Sequence, residues 1–141
     1  MKEVDDLIYQ RMLADQGLLD LLNNESARIG YGFQVKDTDN SPQLRFFQSV
    51  GTPGLLTGDF ARTWQYFYQF SVWSSNYVDI ISRLKRLFDG YQFTVSGTSE
   101  AGAVSAVWDW DGPDGYDEGL EVSRKDVRFR VFISPKAQDP I

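Results

Sequence analysis

WQYFYQFSVWSSNYVDIISRLKRLFDG, residues 64–90, decides the fold. In its first ten residues Trp64, Tyr66, Tyr68, Phe70 and Val72 alternate with Gln65, Phe67, Gln69, Ser71 and Trp73. Aromatic and β-branched residues at period two predict a strand over 64–73. Its first face is expected to be buried, because an aromatic stripe at strand spacing belongs to a core before it belongs to a ligand cage. The second face carries Phe67 and Trp73 among polar groups, so it is expected to be partly covered, with another chain as a candidate for the cover. From Tyr77 the period becomes helical: Tyr77, Ile80, Ile81, Leu84, Leu87 and Phe88 trace one apolar stripe. Ser74 or Ser75 is placed to cap this helix, Asp79 lies near its start, and Arg83, Lys85 and Arg86 lie near its end, as the helix dipole favours. Gly90 offers the left-handed stop.

Towards the N-terminus, Val4, Leu7, Ile8 and Met12 predict an opening helix with Glu3, Asp5 and Asp6 in its first turn, interrupted at Gly17. Leu18, Leu19, Leu21 and Leu22 form a further short helical patch ending at Asn23 and Asn24. Residues 30–43 read as an exposed loop, with Gly30, Gly32, Asp37, Asp39, Asn40 and Pro42 as its punctuation. A strand is predicted over 44–50, then an irregular connection over 52–61 holding Pro53, Gly54 and Gly58. Past the central helix three β segments are expected: a short one over 91–95, a weaker one over 103–108, and a strong one over 127–133. In the last, Val127, Phe129, Val131 and Ile133 point inward and Arg128 and Arg130 outward. The order α-β-β-α-β-β-β predicts an α+β fold, a two-layer sandwich of mostly antiparallel sheet packed by two main helices. A doubly wound parallel sheet would need regular alternation, which is missing. Residues 1–134 form one domain on this reading, and 135–141, with two prolines, form a flexible tail.

Composition narrows the function. The 141 residues are 42% hydrophobic, enough for one domain with a proper core. Neither cysteine nor histidine is present, which excludes disulfide frameworks, thiolate nucleophiles, zinc sites built on Cys or His, and Ser-His or Cys-His catalysis. A net charge of −6 argues against a nucleic-acid surface, which needs surplus Lys and Arg to displace counterions. The first six residues, Met-Lys-Glu-Val-Asp-Asp, place acids where an export signal would have its apolar core, and no window approaches the roughly 18 apolar residues of a membrane span. The expectation is a protein of binding or assembly, with no catalytic residues, cofactor or metal.

The densest charge cluster is Asp109, Asp111, Asp114, Asp117 and Glu118, in DWDGPDGYDEG. As a calcium loop it fails: counted from Asp109, the sixth position is Asp114 where glycine is needed, and the twelfth is not Glu. Paired carboxylates of the glycosidase kind are conceivable, but no acid is singled out from its neighbours. A solvated turn between strands is the expected reading. Arg124, Lys125, Arg128 and Arg130 follow these acids, so a cross-strand or intersubunit ion-pair surface is expected of them before a phosphate site. The loop TPGLLTG, residues 52–58, lacks the Lys of a phosphate-binding loop, and its apolar tip suits either a contact arm or an ordinary surface excursion.

Taken in order, ADQGLLDLLNN (14–24), RIGYGF (28–33), PQLRFFQ (42–48), SVGTPGLLTGD (49–59), the strand-to-helix unit 64–90 and GYDEGLEVSRKDVRFRVFI (115–133) resemble the tail-completion, or tail-terminator, proteins of long-tailed bacteriophages. The resemblance spans about residues 3–134 and rests on order and spacing. It departs at the insert 36–41 and at the acidic DWDGPDG turn. It implies a non-enzymatic virion protein, made in the host cytoplasm and placed at the head-proximal end of the tail. Such a protein closes into a hexameric ring, caps the tail tube, ends its polymerisation and offers a surface for head–tail joining. The implied partners are further copies of itself, the tail tube protein and the head connector or neck protein. DNA passes through the bore with no sequence readout, and no membrane is involved. The expected interface residues are Leu55, Leu56 and Asp59 in the loop, Phe67 and Trp73 on the second face of the strand, and Arg128 and Arg130 on the last strand. A head-closure ring protein and a small ligand-binding regulatory domain are the alternatives. A hydrolase built on the Asp109–Glu118 carboxylates is a third.

Overall fold

The computed structural model describes residues 2–32, 42–53, 64–94, 101–119 and 121–135. Helices α1 (Lys2–Leu13) and α2 (Gln16–Leu21) lead through a 3-10 turn, Ser26–Arg28, into strand β1 (Ile29–Tyr31). Strands β2 (Gln43–Pro53) and β3 (Trp64–Trp73) precede helix α3 (Tyr77–Phe88). Strands β4 (Gln92–Thr94), β5 (Ala101–Asp111), β6 (Gly115–Asp117) and β7 (Val122–Pro135) complete the chain. The strands form one sheet in the order β1-β2-β3-β7-β5-β4, with β6 paired to one end of β7. Every pairing is antiparallel except that of β1 with β2. The α+β class holds, with the two main helices, α1 and α3, and the short helical patch, α2, that were expected.

The period-two strand expected over 64–73 is present, with its first face buried at Tyr68, Phe70 and Val72 and half-buried at Tyr66. Strand β3 lies between β2 and β7 in full register with Val127, Phe129 and Val131. The core fills the space between this sheet face and the helices. Phe70 stands 5.9 Å from Phe46, 5.3 Å from Phe88 and 5.5 Å, edge to face, from Phe129. Val4, Ile8 and Met12 of α1, Leu18 of α2, and Ile80 and Leu84 of α3 close over the same cluster. The Tyr68 hydroxyl is carried into this layer with a partner: it donates to the Asp5 carboxylate of α1. Burial first, and that hydrogen bond second, push its ionisation well above the ordinary range.

Local chemistry sets the helix ends. The break between α1 and α2 falls at Asp15, which caps α2: its carboxylate accepts the Leu18 amide at 3.1 Å and receives Arg83 of α3 through two bonds of 2.6 Å. Gly17, expected to cause the break, sits in the first turn of α2; a Cβ there would lie 2.8 Å from the Arg83 guanidinium carbon. After α2, Asn23 and Asn24 take left-handed conformations, which Asn tolerates. The α3 start is Asn76, not a serine; Ser74 Oγ accepts the Asn76 amide at 3.0 Å. Gly90 has φ +79°, the left-handed stop that was expected.

Two segments correct the sequence reading. The loop expected over 30–43 begins with a strand, β1, and β2 starts at Gln43. The acids expected in a turn are partly in strands: Asp109 and Asp111 end β5, and Asp117 ends β6. Asp109 meets Arg128 and Arg130 of β7, and β7 begins at Val122 instead of residue 127 and runs to Pro135. The insert 36–41 and the tail beyond 135 lie outside the described residues. Among the described residues no helix is long and apolar enough to cross a membrane.

Candidate assembly surface

The face of the sheet turned away from the helices is built by cross-strand rows. Phe67 of β3 pairs with Arg130 of β7 and Arg130 with Val107 of β5, while Gln69 pairs with Arg128 and Arg128 with Trp110. Between Trp108 and Trp110 the register shifts, so that Asp109 is the extra residue of a bulge opposite the Arg128–Phe129 step. A bulge turns the next side chains of its strand in new directions. Trp108, opposite inward-pointing Phe129, stays on the helix side, and Trp110 is turned to the outer side.

The bulge places the Asp109 carboxylate against two guanidiniums. Arg128 reaches it at 2.7 Å and Arg130 at 3.0 Å. Both cations lie over the Phe67 ring, at 4.7 and 5.8 Å from its centre, and Arg128 is also 5.6 Å from the Trp110 ring. Three expected interface residues, Phe67, Arg128 and Arg130, are thus brought into one seam. The cross-strand ion-pair reading is borne out within the chain for Arg128 and Arg130, which meet Asp109 of β5, while Arg124 pairs with Asp126 of its own strand.

The other acids of 109–117 are engaged as well. Asp111 takes Lys85 of α3 at 3.0 Å and the Trp108 indole N–H at 3.0 Å, and the Lys85 ammonium stands 4.3 Å from the Trp108 ring. Asp114 takes Lys125 at 2.8 Å. Hydrogen bonding to Lys125, then to Tyr77, holds the Asp114 carboxyl below the ordinary range, and the same Lys125 bond raises the ammonium's own value. Asp117 accepts the Trp73 indole N–H at 3.1 Å.

Trp73 lies apart from the Phe67 seam, at the far end of β3, with Arg124 4.7 Å from its ring. It is buried within its own chain, so another chain is not needed to cover it. Alternation alone could not show that the β6–β7 hairpin would supply Asp117 and Arg124. Leu55, Leu56 and Asp59 lie outside the described residues.

Apolar surface collects along the β4–β5–β6 side of the sheet. Phe93, Val107, Trp108, Trp110 and Tyr116 are each 40% exposed or more. Because of the bulge the two tryptophans leave β5 on opposite faces, so the strip wraps around the strand. It adjoins β4, a three-residue edge strand whose residues are all exposed. These side chains were not among the expected interface residues; the signal for them is WDWD at 108–111, where tryptophans alternate with aspartates. Among the described residues no group of three or more acids converges as a metal site would require. No protein-family model matches the chain, and no curated protein sequence matches it.

Proposed function

We propose that this protein is a structural virion component that works by docking: it caps the tail tube of a long-tailed bacteriophage, ends tube growth and presents the surface for head–tail joining. The strip of Phe93, Val107, Trp108, Trp110 and Tyr116 is the observation that carries the reading. Several large apolar side chains left exposed among charged groups are what chains that meet other chains display. The order and spacing of the segments between residues 14 and 133 direct it to the tail-completion family. A ring needs two different patches on each subunit. The strip supplies one, and the apolar loop with Leu55, Leu56 and Asp59 is assigned to the other. The charge arrangement suits a bore that passes DNA without gripping it. The subunit is acidic overall, and Arg128 and Arg130 are committed to Asp109 in place of being offered to phosphate.

The test is a capping assay. Purified protein added to polymerising tail tube subunits is expected to shorten the tubes seen by electron microscopy, and to sediment as a ring or with the tubes. Trp110→Ser with Tyr116→Ser is expected to abolish shortening while the melting temperature stays near that of the parent. Tubes of unchanged length at saturating parent protein would overturn the proposal.

A further inference from the structure

At the end of the sheet opposite β4, a cleft of about 290 Å³ opens between α1 and the β1–β2 pair. Asp5, Asp6 and Tyr9 of α1, Gly30 and Tyr31 of β1, and Phe46 of β2 line it. Its size is at or below the smallest small-molecule pockets, roughly 300 Å³, so it suits one functional group. The rings stand at angles to one another. Tyr31 is edge-on to Phe46 at 5.3 Å and 88°, while Tyr9 lies almost parallel to Phe46 at 6.2 Å and 19°. Tyr31 is 56% exposed, while its neighbour Phe46 is buried.

Asp5 and Asp6 bring two negative charges to the cleft, and the Arg45 guanidinium is near enough to act on Tyr9. The Lys and Arg salt bridges among the described residues go to Glu25, Asp15, Asp111, Asp126, Asp114 and Asp109, and none goes to Asp5 or Asp6. Asp5 accepts a hydrogen bond from the buried Tyr68 hydroxyl, which orients its carboxylate, and Asp6 is exposed beside it. The guanidinium of Arg45 lies nearby, but on the other side of β1: its Nη1 occupies the space that a Gly30 Cβ would take. Alternate strand residues point to opposite faces, so that is the face away from Tyr31. An anion would be repelled by the two carboxylates, and a neutral donor could hydrogen-bond them but would leave their charge unbalanced. An organic cation satisfies the carboxylates and the ring faces together.

We propose that this cleft receives the guanidinium or ammonium group of an arginine or lysine side chain presented by another protein chain. A side chain is favoured over a free amine because the cleft holds one charged group and lies beside β1, the outermost strand of the described sheet. The inference stands on the cleft alone and does not require the tail-capping reading.

N-acetylarginine amide and N-acetyllysine amide serve as probes, with N-acetylcitrulline amide as the uncharged control, followed by amide chemical shifts of the intact protein. Saturable shifts at Asp6, Tyr31 and Phe46 are expected with the charged probes, at affinities on the order of millimolar, and none with citrulline. Tyr31→Ala and Asp6→Asn, both exposed positions, are each expected to weaken binding roughly tenfold with the fold unchanged. Equal binding of citrulline, no saturable binding of either cation, or unaltered affinity in both variants would overturn the proposal. Spermidine binding more than about tenfold tighter than either amide would overturn the assignment to a side chain in favour of a free amine.

Discussion

The two faces of the sheet are made by the same strands and held by different forces. On the helix side Phe46, Phe70, Phe129 and Phe88 meet ring to ring, and the stabilisation is area removed from water, without direction. On the outer side Phe67 lies under Arg128 and Arg130, which Asp109 holds in place, and each contact depends on orientation and charge. Adjacent residues of β7, Arg128, Phe129 and Arg130, therefore answer to different physics. Periodicity marks which face a residue takes; only the partners across the sheet say what that face is for.

The comparison breaks first at Phe129. Truncation to Ala leaves a cavity among Phe70, Phe88 and the neighbouring strands, and a buried Phe→Ala change typically costs about 3–5 kcal/mol. That is a large share of the roughly 5–15 kcal/mol that holds a domain together. Denaturant unfolding of Phe129→Ala measures it; a loss below about 1 kcal/mol would mean that the core is not where the rings are.

Next in size is the joint between α2 and α3. Asp15→Ala removes the α2 cap, worth about 1–2 kcal/mol by itself, and releases Arg83 as well. The Arg83 hydrogen bonds hold the Asp15 carboxyl below its ordinary 3.8, outweighing burial, which acts the other way. A lowered folded value means that this stabilisation is complete above the unfolded value and is lost as pH falls through it towards the folded one. Melting temperature followed from about pH 6 down to about pH 2 is expected to fall more steeply for the parent than for Asp15→Asn. Parallel curves would remove the Asp15–Arg83 pair from the acid limb.

The range of each signal decides how much of the fold and the surface was legible in the sequence. The strand 64–73 and the helix Tyr77–Phe88 were readable because each is long enough to repeat its period several times. Strand β1 is three residues long, and its Gly30 looked like loop punctuation; the glycine serves to make room for Arg45, which arrives from the parallel partner strand. Asp109 and Asp111 looked like turn residues, since aspartate is a poor strand former until bases stand opposite it. Trp73 was placed on the correct face, but its cover comes from Asp117, forty-four residues on. Of the candidate surface, the Phe67, Arg128 and Arg130 seam was readable from alternation and charge. Trp110 was not, because tryptophan in a strand looks like core unless the bulge that turns it outward is known.

The smallest effect is the sharpest test of the outer face. Asp109→Asn keeps the shape and one acceptor while removing the charge that Arg128 and Arg130 share. Those two side chains are 38% and 42% exposed, so water already screens them. The Arg130 Nε is nonetheless buried without a hydrogen-bond partner, so the guanidinium leans on Asp109 through its outer nitrogen alone. Together these set the expected cost at about 1 kcal/mol, declining as salt is raised towards about 1 M, where the screening length shrinks to roughly 3 Å and exposed pairs are weakened. Phe129→Ala should keep its full penalty under the same salt. If Asp109→Asn matched Phe129→Ala in cost, or ignored salt, the outer face would have to be counted as a second core, and the division between the two faces of the sheet would fail.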